Sequence, residues 1–510
     1  MSSLEWRAFS RRGVMAPVIA GPRSASTATL ALILGTAVIR LIFADAMGLG
    51  VDESYMVAAG RVLSLGYYDH PPAAWWLSWA AAHLAGSETP VVVRFPFIML
   101  FGLSTWLMFR LGALAFGERA GLWAAVLLNL SPVFGITTGS WVLPDGPLDC
   151  ALLGAALCLM HALPVHGRGA RAWWSGAGLC AGLALFSKYS AVLTLLGMLL
   201  FLLSSREHRR WLRQPEPYLA ALLALLAFSP AIAWNAMHGW VSFAFQGERA
   251  AGVHFHPLGP LVTLAGEALF VLPWIWAPMM VVFIIALRRG PAAWQTWLLC
   301  CLAAPPIILF ALISVWSSQR VLFHWAAPGY LLLFPLLGDA VAQRARWPVV
   351  RGMVAATAAF AVAGVAVIGV QERYDLLSPA ISAVTRKDPT IEGIDWRSLR
   401  SDLEARGLLH AGTVVGVPNW RDAGKIAYAL GSGVPVICLN KDSRQFGIAL
   451  PAGRYVGEDV LLVSGSELVA PTLRQRFDSI EALAPSAVIH AGRTLRQLGV
   501  YVGHHLRSDF

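Results

Sequence analysis

The chain has 510 residues, of which 57% are hydrophobic and only 13% charged. Soluble globular chains carry about 45–50% apolar and about 25% charged residues, so this composition excludes an ordinary water-soluble protein. The formal charge of +10 does not point to nucleic acid, because the arginines stand in short loops between apolar runs, the pattern of membrane topology signals.

At the N-terminus Arg7, Arg11 and Arg12 precede the first apolar run, and no small-residue cleavage site follows. The first helix therefore reads as a retained anchor. Apolar runs predict about 11 transmembrane helices near 27–46, 91–115, 120–139, 146–163, 174–187, 189–204, 218–234, 261–287, 295–315, 323–342 and 349–370. The fold class is mainly α: a polytopic membrane protein with a small C-terminal α/β soluble domain. The expected division is a transmembrane domain over 1–370, with a large first outer loop at 47–90, and a soluble domain over 371–510. Arginine clusters at 7–23, 110–119, 168–171, 206–213, 288–289 and 344–351 alternate with loops poor in Lys and Arg. Positive charge stays inside, so the N-terminus is expected in the cytoplasm and residues 371–510 on the periplasmic side of a bacterial inner membrane. The 21 tryptophans suit interfacial belts, and the six cysteines show no disulfide or metal-ligand spacing.

Two of these runs, 174–187 and 189–204, are short for a crossing at ~1.5 Å per residue against a ~30 Å hydrocarbon core. Both flanking loops are basic, so the pair is expected to go out and return, with Lys188 near its outer turn. Such a lysine could snorkel to the surface or meet a lipid phosphate. From Gln371 the composition becomes that of a soluble domain. Residues 412–418, 434–439, 459–464 and 486–490 read as short strands and 422–430 as a helix. No Gly-x-Gly-x-x-Gly or P-loop pattern occurs there. The polar run Asn440–Gly447 follows a strand end and is either a plain turn or a ligand loop.

Ionisable side chains beside membrane spans are costly and point to function. The first outer loop holds Asp52, Glu53, Asp69 and His70, within Val51-Asp-Glu-Ser-Tyr55 and Gly66-Tyr-Tyr-Asp-His-Pro-Pro72. Topology adds Asp145, Lys188, His238, Arg249, His254, His256, Arg320 and His324 to the same face. Charges gathered at headgroup depth suit chemistry on a phosphate-bearing amphiphile. A transporter would more often place them at mid-bilayer in interrupted helices.

These motifs resemble those of GT-C membrane glycosyltransferases of the protein O-mannosyltransferase and aminoarabinose transferase type. The first group carries an Asp-Glu pair and then His-Pro-Pro closely preceded by an acid, as in Asp52-Glu53 and Asp69-His70-Pro71-Pro72. The second has acid-Lys-Pro where this chain has Asp69-His70-Pro71. The resemblance covers roughly residues 27–340 and leaves the C-terminal domain aside.

It implies an enzyme that moves a sugar from a polyprenyl-phosphate donor to a hydroxyl of a glycolipid, polysaccharide or protein at the outer face, inverting the anomeric centre. Asp52, with Glu53 beside it, is the expected catalytic carboxylate. Asp69, His70, Asp145, Lys188, His238, Arg249, Arg320 and His324 are the expected substrate-binding groups, with Lys188 and Arg320, before Arg249, on the phosphate. No cofactor is certain. A divalent metal on Glu53, Asp69 and an outer histidine is one reading, and interfacial hydrogen bonding by those histidines is the other. The alternatives to catalysis are a flippase or exporter of lipid-linked sugars, and a membrane-anchored binding protein built around 371–510.

Overall fold

The computed structural model describes residues 22–252, 254–317, 319–377, 392–465 and 471–507. Arg7, Arg11 and Arg12 lie outside the described residues. Helix α1 (Pro22–Ala46) leads into the short α2 (Val51–Ala59) and α3 (Ala73–Ala85) of the first outer loop. The membrane body continues with α4 (Pro90–Phe116), α5 (Glu118–Leu130), α6 (Asp145–Ala162), α7 (Gly167–Ser187), α8 (Ala191–Ser204) and α9 (Glu216–Met237). An outer helix α10 (Val241–Ala250) precedes α11 (Gly259–Val271), α12 (Pro273–Arg289), α13 (Trp294–Ile313), α14 (Ala327–Leu331), α15 (Phe334–Arg344) and α16 (Pro348–Tyr374).

Helix occupies each of the eleven predicted segments, but among the described residues only six helices are long and apolar enough to cross a membrane: 24–46, 90–116, 216–237, 273–292, 294–313 and 348–374. The protein is thus a multi-pass membrane protein. The differences have local causes. The segment 120–139 breaks at Ser131-Pro132 into α5 and a π-helical turn, Val133–Thr138. The segment 261–287 breaks at Leu272 (φ +85°), where Pro273 cannot donate a backbone hydrogen bond. The arm predicted at 174–187 begins at Gly167 and has 21 residues. It is therefore not short; Arg168 and Arg171, taken for loop, lie on its first turns. Its partner α8, with 14 residues, is short as expected.

Helices α7 and α9 approach closely because small residues face each other. A Cβ on Gly178 would strike the backbone of Ala220, and one on Gly182 would lie 2.6 Å from the Ala227 Cβ. Lipid offers no hydrophobic drive for association, so such helices hold by close dispersion contact.

The C-terminal unit holds α17 (Ser398–Ala405), β1 (Val415–Val417), α18 (Trp420–Leu430), β2 (Val436–Cys438), α19 (Gln445–Ala449), β3 (Val460–Ser464), α20 (Pro471–Arg474), β4 (Phe477–His490) and β5 (Arg493–Leu506). Its mixed sheet has the order β2-β1-β3-β5-β4, parallel among the first three strands and antiparallel after β3. The sequence reading caught only 486–490 of the β4–β5 hairpin. The rest of β4 is largely open to solvent, with one long antiparallel partner, and lacks a continuous apolar run.

This unit is joined to the first outer loop by one apolar core in which Tyr55, Met56 and Trp75 pack with Ile426, Val463 and Leu498. Gly424 of α18 comes so near α2 that a Cβ there would meet the Tyr55 Cα at 2.8 Å. Lys425 is buried, with Nζ donating to the carbonyls of Leu49 (2.6 Å) and Ile394 (2.8 Å). Desolvation lowers its pKa to about 8.

Candidate active site

Between the 47–90 segment, the start of α6, the end of α7, α10 and the C-terminal unit lies a cavity of about 600 Å³. Asp52, Glu53, Asp69, His70, Asp145, Lys188, Arg249 and His324 all line it. Residues from five separated stretches of sequence are thus brought together.

Asp52 stands in the first turn of α2, where two carboxylates in a row complement the helix dipole. Its side chain is accessible from the cavity although protein surrounds it. Desolvation raises its pKa, against the pull of Arg421 and Arg444. An accessible carboxylate whose affinity for a proton is raised can act as a base.

Glu53 is different. Arg94 donates from Nε to Glu53 Oε1 (2.8 Å) and from Nη2 to Oε2 (2.6 Å). The backbone N–H groups of Gly50 and Val142 donate to the same two oxygens. Burial alone would push the carboxyl up, but these donors hold its pKa below the usual value. Arg94 also donates to the carbonyls of Ala44, Met47 and Gly48. Glu53 therefore ties the end of α1, the start of α2 and α4 together. Its expected roles as a catalytic group and metal ligand are corrected: its lone pairs are taken. Among the described residues no group of three or more His, Cys, Asp or Glu is arranged to hold a metal ion.

Asp69 accepts from the Tyr55 hydroxyl (3.4 Å) and pairs with Arg444 (3.3 Å). Burial raises its pKa to about 6 despite that arginine. Lys188 follows the last turn of α7 and pairs with Asp145 at 2.8 Å. That contact fixes a flexible side chain at the cavity wall rather than letting it snorkel. His70 and His324 face this pair. Desolvation first, and then Lys188, hold His70 well below its usual pKa and His324 at about 4, so both are neutral near pH 7. Arg249 lies over the rings of Phe245 (4.8 Å) and Trp325 (5.3 Å). Among the described residues His70 Nδ1, Trp141 Nε1 and Ser190 Oγ are buried on this cavity without a hydrogen-bond partner.

Two expected binding groups lie elsewhere. Arg320 stacks on Phe323 (4.6 Å) and, with His256, lines a separate cavity of about 570 Å³. His238 stacks on Trp234 (4.1 Å), with Nδ1 2.8 Å from the Trp234 carbonyl oxygen at the exposed end of α9. The expected order of the arginines is thereby reversed: Arg249, not Arg320, faces the cluster. His254 is exposed beside His256, their rings 6.4 Å apart.

Sequence reasoning missed Arg421 and Arg444, which enter the cavity from the C-terminal unit. The one signal was the polar run after β2, which holds Arg444; Arg421, in α18, had none.

The helical membrane body thus brings acids and cations to face one cavity. Residues 69–234 match the family described as dolichyl-phosphate-mannose-protein mannosyltransferase. The fold is shared with ArnT from Cupriavidus metallidurans. The structure bound to undecaprenyl phosphate has a TM-score of 0.61 at 15% identity, covering 92% of this chain and 97% of that one. The apo structure gives 0.62 at 14% identity, covering 94% and 98%. This likeness extends well past residue 340, so the C-terminal unit is part of the common fold, contrary to expectation. No curated protein sequence matches the chain.

Proposed function

We propose that the protein transfers a sugar from a polyprenyl-phosphate donor to an acceptor hydroxyl at the outer face of a bacterial inner membrane. The observation that carries this reading is an accessible carboxylate, Asp52, sharing one cavity with the cations Lys188 and Arg249. The bound undecaprenyl phosphate in the related ArnT structure supports the same donor class here.

In this reading the acceptor oxygen attacks the anomeric carbon as its proton passes to Asp52. The bond from that carbon to the phosphate oxygen breaks opposite, which inverts the centre. The leaving polyprenyl phosphate gains a negative charge. Lys188 and Arg249 meet that charge, and contacts that strengthen as it develops lower the barrier. Neutral His70 and His324 and the unpartnered Trp141 and Ser190 groups supply hydrogen bonds to donor oxygens. Asp145 orients Lys188. The leaving phosphate needs no acid, unlike the leaving oxygen in glycoside hydrolysis.

Transfer by purified enzyme added to permeabilised envelopes of a gene-deletion strain, read by mass spectrometry of glycolipids and glycoproteins, tests the reading. Asp52→Asn should lower turnover ~10²–10⁴-fold and leave undecaprenyl phosphate binding nearly unchanged. Near-normal transfer by this variant removes the base assignment.

A further inference from the structure

The loop after β2 carries Arg444 on backbone at φ +49°, a conformation that side chains other than glycine rarely adopt. The guanidinium lies over the ring of Trp420 at the start of α18, 3.7 Å from its centroid. From there it reaches Asp69 at 3.3 Å, with Asp442 at 3.7 Å on its other side. The adjacent Gln445 makes two further contacts with the first outer loop: its backbone N–H donates to the Tyr55 hydroxyl (3.1 Å), and its Oε1 accepts from the Tyr68 N–H (3.0 Å). Tyr55 in turn donates to Asp69. Strain in a buried, multiply bonded segment marks a place where the surroundings dictate the geometry.

We propose that Arg444 is a positioning residue of the transfer reaction, through which the C-terminal unit latches Asp69 and α2 and keeps the Asp69 carboxylate charged. The inference rests on the reading of the cavity as the transfer site. The ionisable groups around Asp69 are Tyr55 and Asp52 from α2, Tyr68 beside it, Tyr189 from the turn after α7, Arg249 from α10 and Arg444. Asp69 therefore faces Arg249 and Arg444, while Asp52 also faces Arg421, and Arg444 is the cation in contact with Asp69. Without it Asp69 keeps only the field of Arg249 and binds a proton more readily, whereas Asp52 still has Arg421.

The test uses full-length enzyme in the same envelope assay across pH. Arg444→Ala should slow transfer roughly tenfold near pH 6.5, with the loss shrinking to about threefold or less near pH 8.5, because alkali restores the charge that the arginine maintained. Arg444→Lys should recover part of the loss, since charge returns without the stacked fork. Asp69→Asn should cost little more in the Arg444→Ala background than Arg444→Ala alone, because the two residues act as one unit. Thermal unfolding and undecaprenyl phosphate binding like wild type show that each variant is folded. A loss from Arg444→Ala that is the same at every pH, or that simply multiplies with Asp69→Asn, overturns the inference. Full transfer by Asp52→Asn overturns the base assignment instead, and the pH shift still decides the role of Arg444.

Discussion

Replacing Glu53 by Gln separates scaffolding from chemistry in the Asp52-Glu53 pair. Each Glu53 oxygen receives two donors: Arg94 Nε and the Val142 N–H on Oε1, Arg94 Nη2 and the Gly50 N–H on Oε2. An amide puts an –NH₂ group against two donors whichever way it flips, so two hydrogen bonds are lost in either orientation. Arg94, whose side chain is 1% exposed, keeps a buried charge without its counter-ion. Breaking such a pair from one side costs ~3–5 kcal/mol. The expected result is a clear fall in the thermal unfolding midpoint of purified enzyme in nanodiscs. Transfer should fall in parallel with the folded fraction. Arg94→Gln should destabilise similarly, and the double variant should cost less than the sum. Wild-type unfolding by Glu53→Gln with a ~10²-fold loss of turnover would refute the reasoning and return Glu53 to the reaction.

Lys188→Ala is expected to lower turnover more than donor affinity, with partial recovery in Lys188→Arg; equal transfer by Lys188→Ala and wild type would reduce the lysine to an anchor. Arg249→Ala should slow transfer at least about tenfold, as loss of one charge-assisted contact implies, while Arg320→Ala should stay near wild type; the opposite ranking would restore the order read from sequence. Transfer should decline as pH falls through about 6, where Asp69 takes up its proton. His324, at about 4, stays neutral through that range, so a rate flat from about pH 7.5 to 5 would disconnect Asp69 from the reaction. A reporter fused after Phe510 should be active only on the periplasmic side, and cytoplasmic activity would overturn the proposed orientation.

Hydropathy found every helical segment of the membrane body because a bilayer span needs a long apolar run, and such runs stand out. It could not see the breaks at Pro132 and Leu272, which local backbone chemistry decides. The cavity was legible where residues sit near span ends: Asp52, Asp69, Asp145 and Lys188 needed only topology to be gathered. Arg320 and Arg249 could not be ranked, because which of two outer-loop arginines turns inward depends on packing against Phe323 or against Phe245 and Trp325. Glu53 was misread because its partner Arg94 lies 41 residues away, inside a run that reads as plain membrane span. Arg444 was out of reach because the C-terminal unit had been set aside from the shared core, although one apolar core joins it to the first loop.

The glycines between α7 and α9 reach further than their own contacts. Gly182 lies six residues before Lys188, about 9 Å along the helix axis, and α7 runs unbroken to Ser187. Anything bulkier at Gly178 or Gly182 would wedge α7 away from α9 and tilt the far end that carries Lys188 off Asp145. Misplacement of a reacting or binding group by about 1 Å can cost 10²-fold in rate. The aim of a charge at the water-facing rim is thus calibrated by two absent side chains within the lipid, so tolerance to mutation there should follow alignment of the lysine rather than stability of the helix pair.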